Sequence, residues 1–164
     1  MRSLRKAIFP NITPIQISDV LDYKIQDPNW LAGFNEAEGC FYVQILKSTT
    51  KIGYQILLRF SISQHSRDAV LMQSLIELLD CGNYSQLSNY NRVDFNIRKF
   101  SDLTDKVLPF FKKYPLQGVK LLGYLDFVKV VELMNNKAHL TKEGLDQIRK
   151  AIKASMNKGR KLDQ

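Results

Sequence analysis

From residue 41 the chain alternates apolar and polar positions with a period of two. Phe41, Val43 and Ile45 alternate with Tyr42, Gln44 and Leu46. After a turn around residues 49–53, Ile56, Leu58, Phe60 and Ile62 alternate with Gln55, Leu57, Arg59, Ser61 and Ser63. Two consecutive runs of this kind predict an antiparallel hairpin with one face buried. A second, shorter hairpin is predicted from residues 83–87, a turn at 88–91 and a strand at 93–97. There Val93, Phe95 and Ile97 alternate with Asp94, Asn96 and Arg98.

Elsewhere the spacing is helical. In Asp27-Pro28-Asn29-Trp30-Leu31, Asp27 suits a helix cap and Pro28 suits the first turn, where a missing N–H costs nothing. That helix runs from Asn29 to about Glu38 and stops at Gly39. Ser66 is expected to cap a helix over 67–79, with Asp68 in its first turn, an apolar stripe of Val70, Leu71, Leu75, Ile76 and Leu78, and Gly82 closing the region. Ser101 is expected to cap a helix over 102–113, and Pro115 to open a long helix through Met134. Thr141 is expected to cap a last helix to about Met156, with a basic tail at 158–161. The order is αββαββα with further helices appended. It predicts a single α+β domain over 27–164, in which a four-stranded antiparallel sheet is backed by helices, with residues 1–26 as an irregular arm or linker-like segment.

A chain of 164 residues with 45% apolar content suits one domain with a real core. No apolar run approaches the roughly 20 residues of a membrane span. The longest, 121–134, is interrupted by Asp126, Lys129 and Glu132. The charge changes the picture more. Lys and Arg number 24 against 16 acids, a net charge of +8, which points to a polyanionic partner or an anionic membrane surface. Two cysteines, Cys40 and Cys81, imply no disulfide framework and suggest a reducing intracellular compartment. With His65 and His139 they lack the paired close spacing of a zinc site. A phosphate-binding loop, a dinucleotide glycine pattern and a nucleophile elbow are all missing, which argues against nucleotide-fuelled and serine-hydrolase chemistry. Arg2, Arg5 and Lys6, with no acid before Asp19, have the charge of an organelle presequence. Pro10 and Pro14, however, interrupt any amphipathic helix, so 9–19 reads as an extended linker or arm.

The richest chemistry lies in Trp30-Leu31-Ala32-Gly33-Phe34-Asn35-Glu36-Ala37-Glu38-Gly39. Small residues at 32, 33 and 37 let another helix approach closely. Gly33 inside a helix costs about 1 kcal/mol relative to Ala, which packing must offset. Glu38 falls at the helix C-terminus, where the helix dipole is already negative, so a cation has to answer it. Two such ends related by a two-fold axis would bring two carboxylates together, a site for a hard divalent cation.

Residues 31–39 resemble the LAGLIDADG motif of homing endonucleases, aligned without gaps. Phe60-Ser61-Ile62-Ser63-Gln64-His65, Lys99-Phe100-Ser101-Asp102, Gly118-Val119-Lys120, His139-Leu140-Thr141 and Met156-Asn157-Lys158-Gly159-Arg160 look like the C-terminal half of the two-motif fungal mitochondrial intron-encoded members. Residues 1–26, with Phe9-Pro10-Asn11-Ile12, look like the linker joining their halves. The motif occurs once. Leu122-Gly123-Tyr124-Leu125-Asp126 echoes it without an acid-Gly ending. One motif supplies one carboxylate, so the chain is expected to homodimerise through 30–39 or to be one half of a larger enzyme.

The resemblance implies the αββαββα fold with a saddle-shaped sheet, and site-specific, divalent-metal-dependent cleavage of a long near-palindromic double-stranded DNA by a mitochondrial homodimer. The alternative is a non-catalytic maturase that binds intron RNA. Glu38, the acid at the eighth motif position, is implied as a catalytic residue that ligates the metal, with the Ala37 carbonyl as a backbone ligand. Gln64 and Lys120 are implied as further catalytic residues. Glu36, two positions before Glu38, points about 200° away around the helix and is expected at its surface or interface. Mg²⁺ is the implied cofactor, with Mn²⁺ able to substitute and Ca²⁺ supporting binding with little cleavage. The strand parity opposite the apolar one is expected to read DNA: Tyr42, Gln44, Leu46 and Ser48; Gln55, Leu57, Arg59, Ser61 and Ser63; Asp94, Asn96 and Arg98. On the third strand Asn83 and Ser85 are chosen over the rival parity of Tyr84 and Gln86. Leu31, Ala32, Gly33, Phe34 and Ala37 are expected in the dimer contact.

Overall fold

The computed structural model describes residue 25 and residues 27–87 and 90–160. The arm at 1–26, apart from residue 25, and the end of the basic tail lie outside the described residues, as do the side chains of 87 and 153–160. The first helix, α1, spans Pro28–Glu38. It is capped by Asp27, whose Oδ1 accepts the Asn29 N–H at 2.9 Å. Then follow β1 (Gly39–Lys47), β2 (Tyr54–His65), α2 (Ala69–Leu79), β3 (Asn83–Leu87) and β4 (Arg92–Ile97). A continuous helical stretch, α3, is built from Phe100–Asp102, one π-helical segment Leu103–Val107, and Leu108–Lys113. Helices α4 (Lys120–Asn135) and α5 (Lys142–Arg160) complete the described chain. The strands form one antiparallel sheet in the order β1-β2-β4-β3.

The helices cover one face of that sheet. Ile56, Leu58, Phe60, Ile62, Val93, Phe95 and Ile97 are buried, as the alternation predicts. Phe41 sits at the centre of an aromatic cluster, with ring centroids 5.0 Å from Phe60, 5.3 Å from Phe111, 5.1 Å from Tyr124 and 5.4 Å from Phe127. The cluster ties β1 and β2 to α3 and α4, and so fixes where the ends of α1 and α4 meet.

Three element boundaries and one helix face differ from the sequence reading. Ser66 does not cap α2. It opens a 3-10 turn, Ser66–Asp68, and the cap is His65, whose Nδ1 accepts the Arg67 N–H at 3.2 Å. The buried stripe of α2 is Met72, Leu75 and Leu79, while Val70 is 55% exposed. At 3.6 residues per turn Val70 lies about 160° around the helix from Met72, so it cannot share that face. Ser101 lies inside α3, which starts one residue earlier, and its carbonyl accepts the Thr104 hydroxyl instead. Pro115 does not open α4, which begins at Lys120. The backbone N–H groups of Gln117 and Gly118 are turned to the Glu36 carboxylate of α1, so the segment before Lys120 is a loop. Thr141 does cap α5, its Oγ1 accepting the Gly144 N–H at 3.0 Å.

Candidate active site and nucleic-acid interface

Helix α1 turns Leu31, Ala32 and Asn35 into the chain's own core and leaves Trp30, Gly33, Ala37 and Glu38 exposed. This corrects the expected contact set. Leu31 is completely buried and Ala32 nearly so, which withdraws both from a docking face. Trp30, Gly33 and Ala37 follow one another at helical spacing on the open side, with the Trp30 ring stacked on Phe34 at 4.6 Å. The helix ends at Gly39, whose N–H is donated to the Asn35 carbonyl. A Cβ at position 39 would lie 1.5 Å from Asn35 Oδ1, so only glycine lets β1 leave the helix there.

Glu38 stands at this end, exposed and without a hydrogen bond or ion pair among the described residues. A cation does answer the helix terminus. The Lys120 ammonium, from the first residue of α4, donates to the carbonyl oxygens of Ala37, at 3.1 Å, and Gly39. The acid, the carbonyl proposed beside it and the lysine are therefore brought together from residues 81 to 83 positions apart. Gln64 lies two residues beyond Ile62, the partner of Gly39 in the β1–β2 register, on the helix-packed side of β2 and level with the end of α1. Glu36 points away from Glu38. Its Oε1 accepts the N–H groups of Gln117, at 2.6 Å, and Gly118, at 2.8 Å.

The opposite sheet face carries the other parity as one surface. Tyr42 lies opposite Arg59, Gln44 opposite Leu57, and Leu46 opposite Gln55. Ser61 lies opposite Asn96 and Ser63 opposite Asp94. Asn83 and Ser85 face Asn96 and Asp94, whereas Tyr84 and Gln86 face Phe95 and Val93 of the core parity. Directly opposed residues in an antiparallel pair share a face, so Asn83 and Ser85 lie on the same face as Asn96 and Asp94. Ser48, just past β1, donates its backbone N–H to Gly53 and ends the hairpin arm.

Two arginine arrangements stand out on this face. The Arg59 guanidinium lies over the Tyr42 ring at 5.0 Å, and its Nε has no hydrogen-bond partner. Arg98, just past β4, lines the same concavity as Arg59, Tyr42, Gln44 and Leu57. At the other end, Arg92 donates to Asp94 Oδ1 at 2.8 Å and to Ser63 Oγ at 2.9 Å, while the Ser63 hydroxyl donates to Asp94 at 2.6 Å. Burial pushes the Asp94 carboxyl up. The hydrogen bonds from Ser63 and Arg92 and the charges of Arg92 and Arg59 outweigh that and hold it below the ordinary carboxylate value. Asp94 is thereby tied up as a charged acceptor, while the unpartnered Arg59 Nε is itself buried.

A family model described as LAGLIDADG endonuclease matches residues 31–131. The chain belongs to the LAGLIDADG endonuclease family. Among its relatives, "Probable intron-encoded endonuclease 3" of Neurospora crassa is 38% identical over 144 residues, 87% of this chain and 27% of that protein. "Probable intron-encoded endonuclease 2" of the same fungus is 34% identical over 153 residues, 87% of this chain and 32% of that protein. The structure matches that of the I-SmaMI LAGLIDADG homing endonuclease bound to cleaved DNA with a TM-score of 0.83 and 42% identity, covering 94% of this chain and 52% of that one. The homing endonuclease I-TnaI matches with a TM-score of 0.72 and 39% identity, covering 76% of this chain and 84% of that one. The chain thus spans about a third or less of these two curated relatives and about half of the I-SmaMI chain.

Within this LAGLIDADG domain the sequence reading passed over three residues of the sheet face. Arg92 and His65 oppose each other at its end, and Cys40, opposite Ser61, lies two residues past Glu38. Extending each alternation by one or two positions finds them. Asn35 was missed for another reason. It is a polar residue on the buried side of α1, and both its side-chain amide atoms lack a partner.

Proposed function

We infer that the chain is a LAGLIDADG domain of a site-specific, divalent-metal-dependent DNA endonuclease that hydrolyses phosphodiester bonds. The observation that carries this reading is the end of α1: an exposed, unpaired Glu38 carboxylate beside carbonyls that already attract the Lys120 ammonium. The donors fit a hard cation, since a carboxylate and a backbone carbonyl are both oxygen ligands. They are too few to hold it alone. Among the described residues no three His, Cys, Asp or Glu side chains come together. A second LAGLIDADG domain docked on the Trp30, Gly33 and Ala37 face would bring the second carboxylate. That domain is a second copy of this chain, as expected for a near-palindromic target, or the other half of a longer protein, a reading the 52% coverage of I-SmaMI favours.

The metal would activate a water and stabilise the leaving 3′-oxygen. Glu38 and the Ala37 carbonyl would hold it, Lys120 would donate to a phosphate oxygen, and Gln64 would orient solvent. The polar parity of the sheet would lie in the major groove. Arg59 and Arg98 suit guanine; Gln44, Gln55 and Asn96 suit adenine. Leu46 and Leu57 suit thymine methyls. Arg59→Ala or Arg98→Ala is expected to relax base preference at one position of the target and to cost about 1–3 kcal/mol of specific binding. Binding selections from a randomised library check it, and an equal loss across all sequences would make that arginine a phosphate contact.

Intron-encoded relatives, including a protein in ND4 intron 1 of Podospora anserina and a cox1 intron-2 protein of Schizosaccharomyces pombe, support action in the mitochondrion. The deciding experiment incubates the assembled protein with selected DNA. Mg²⁺ or Mn²⁺ should give cut ends with 3′-hydroxyls, and Ca²⁺ should give binding with little cutting. Tight binding to intron RNA without cutting of any DNA would put a maturase in place of the nuclease.

A further inference from the structure

The acid at the sixth motif position has a task that neither the metal nor the docking face explains. Helix α4 begins at Lys120 with Val119 as its N-terminal flanking residue, and no side chain of its own caps it. The Leu121 and Leu122 N–H groups of its first turn reach back to the Gly118 and Val119 carbonyls, and the positive end of the helix dipole favours a nearby carboxylate. Glu36 supplies one from α1: a single oxygen accepts both the Gln117 and Gly118 N–H groups, just before the helix starts. The fit is close. A Cβ at Gly118 would lie 2.6 Å from Glu36 Oε2. Two residues later Lys120 sends its ammonium back to the Ala37 and Gly39 carbonyls, on either side of Glu38. The end of α1 and the start of α4 are thus joined by two tethers of opposite sense, one acid-to-amide and one ammonium-to-carbonyl.

We propose that Glu36 is a positioning residue: by fixing the Gln117–Gly118 turn it holds Lys120 with its ammonium beside Glu38, where the scissile phosphate would lie. The proposal rests on the endonuclease reading for the meaning of that place, but the tether itself is independent of it. Lys120 ends a flexible four-carbon stem with much rotamer freedom. Once the turn is released, the backbone no longer aims that stem, and the attraction of the two carbonyls alone has to hold the ammonium against water.

The test has two parts. In the first, amide hydrogen exchange and the NMR signal of the Lys120 ammonium are followed in the protein alone. Glu36→Ala should free the Gln117 and Gly118 amides to exchange like solvent-exposed ones and shift the Lys120 signal to that of a solvated lysine. Gly118→Ala, which crowds the carboxylate from the other side, should move both in the same direction. Protected amides or an unmoved Lys120 signal in Glu36→Ala would overturn the proposal whether or not the protein cuts DNA. The second part is a double-mutant cycle in cleavage. Glu36→Ala should lower kcat by about 10- to 100-fold with DNA affinity kept, and should lower it no further in a Lys120→Met background. Glu36→Gln, whose carbonyl oxygen can accept the same two N–H groups, should recover most of the loss. Losses that multiply in the cycle, or a Gln variant as poor as the Ala variant, would overturn it. Failure of the wild-type protein to cut would instead remove the endonuclease reading and leave the tether to be judged by the exchange data.

Discussion

Glu38→Gln is expected to abolish strand cleavage in Mg²⁺ while leaving DNA affinity equal or slightly higher. The substitution keeps the shape and an oxygen acceptor but removes the charge. Nothing else at the end of α1 replaces that charge, since no ion pair or hydrogen bond among the described residues engages Glu38. The two groups that remain nearby, Lys120 and the carbonyls of Ala37 and Gly39, are a cation and neutral dipoles. Stabilisation by a bound metal is worth several kcal/mol of the barrier, and about 4 kcal/mol corresponds to roughly a 1000-fold loss. The expected result is thus no detectable cleavage over times that cut wild-type substrate completely, with binding intact by gel shift in Ca²⁺. Because Glu38 is exposed and unpaired, the fold has no reason to weaken, so thermal unfolding should not move. Cleavage by the Gln variant at the wild-type rate would mean that Glu38 holds no metal, and the mechanism argued above would be wrong.

A second large effect is expected from Gly33→Arg. An added Cβ at Gly33 meets nothing within 4 Å in the single domain. Replacing a mid-helix glycine should therefore leave the domain as stable as before, or more stable by up to about 1 kcal/mol. Assembly should behave in the opposite way. Gly33 lies between Trp30 and Ala37 on the open face of α1, and docking a second helix there would bury an unpaired guanidinium. That penalty is several kcal/mol, roughly 100-fold or more in association. Since one domain supplies one carboxylate, cleavage should disappear together with assembly. Light scattering, a thermal melt and a cleavage assay on the same variant separate the two effects. A variant that cuts normally would show that α1 is not the docking helix.

Much of this protein was legible in the chain itself. Period-two alternation assigned the faces of β1, β2 and β4 correctly because the inward positions along the middle of each strand are apolar, polar residues entering that parity only at the ends, Lys47 and Gln64; a one-residue slip would have put Phe60 or Phe95 in water. Asp27 and Thr141 were readable as caps because each bonds a backbone N–H two or three residues away. The motif placed Glu38 at a helix end because helix termination at Gly39 is a local matter. The larger misreadings concern features that depend on a partner distant along the chain. The start of α4 was misread at Pro115 because the groups that hold the preceding turn belong to Glu36, 81 and 82 residues away. Leu31 and Ala32 were assigned to a docking face because the motif is one run of letters. Only the packing of α1 against the sheet divides that run into a buried side and an open side. The face of β3 was undecidable from its own polar composition. It was settled by the pairing of Asn83 with Asn96 and of Ser85 with Asp94, because a polar edge strand takes its orientation from the neighbour it pairs with.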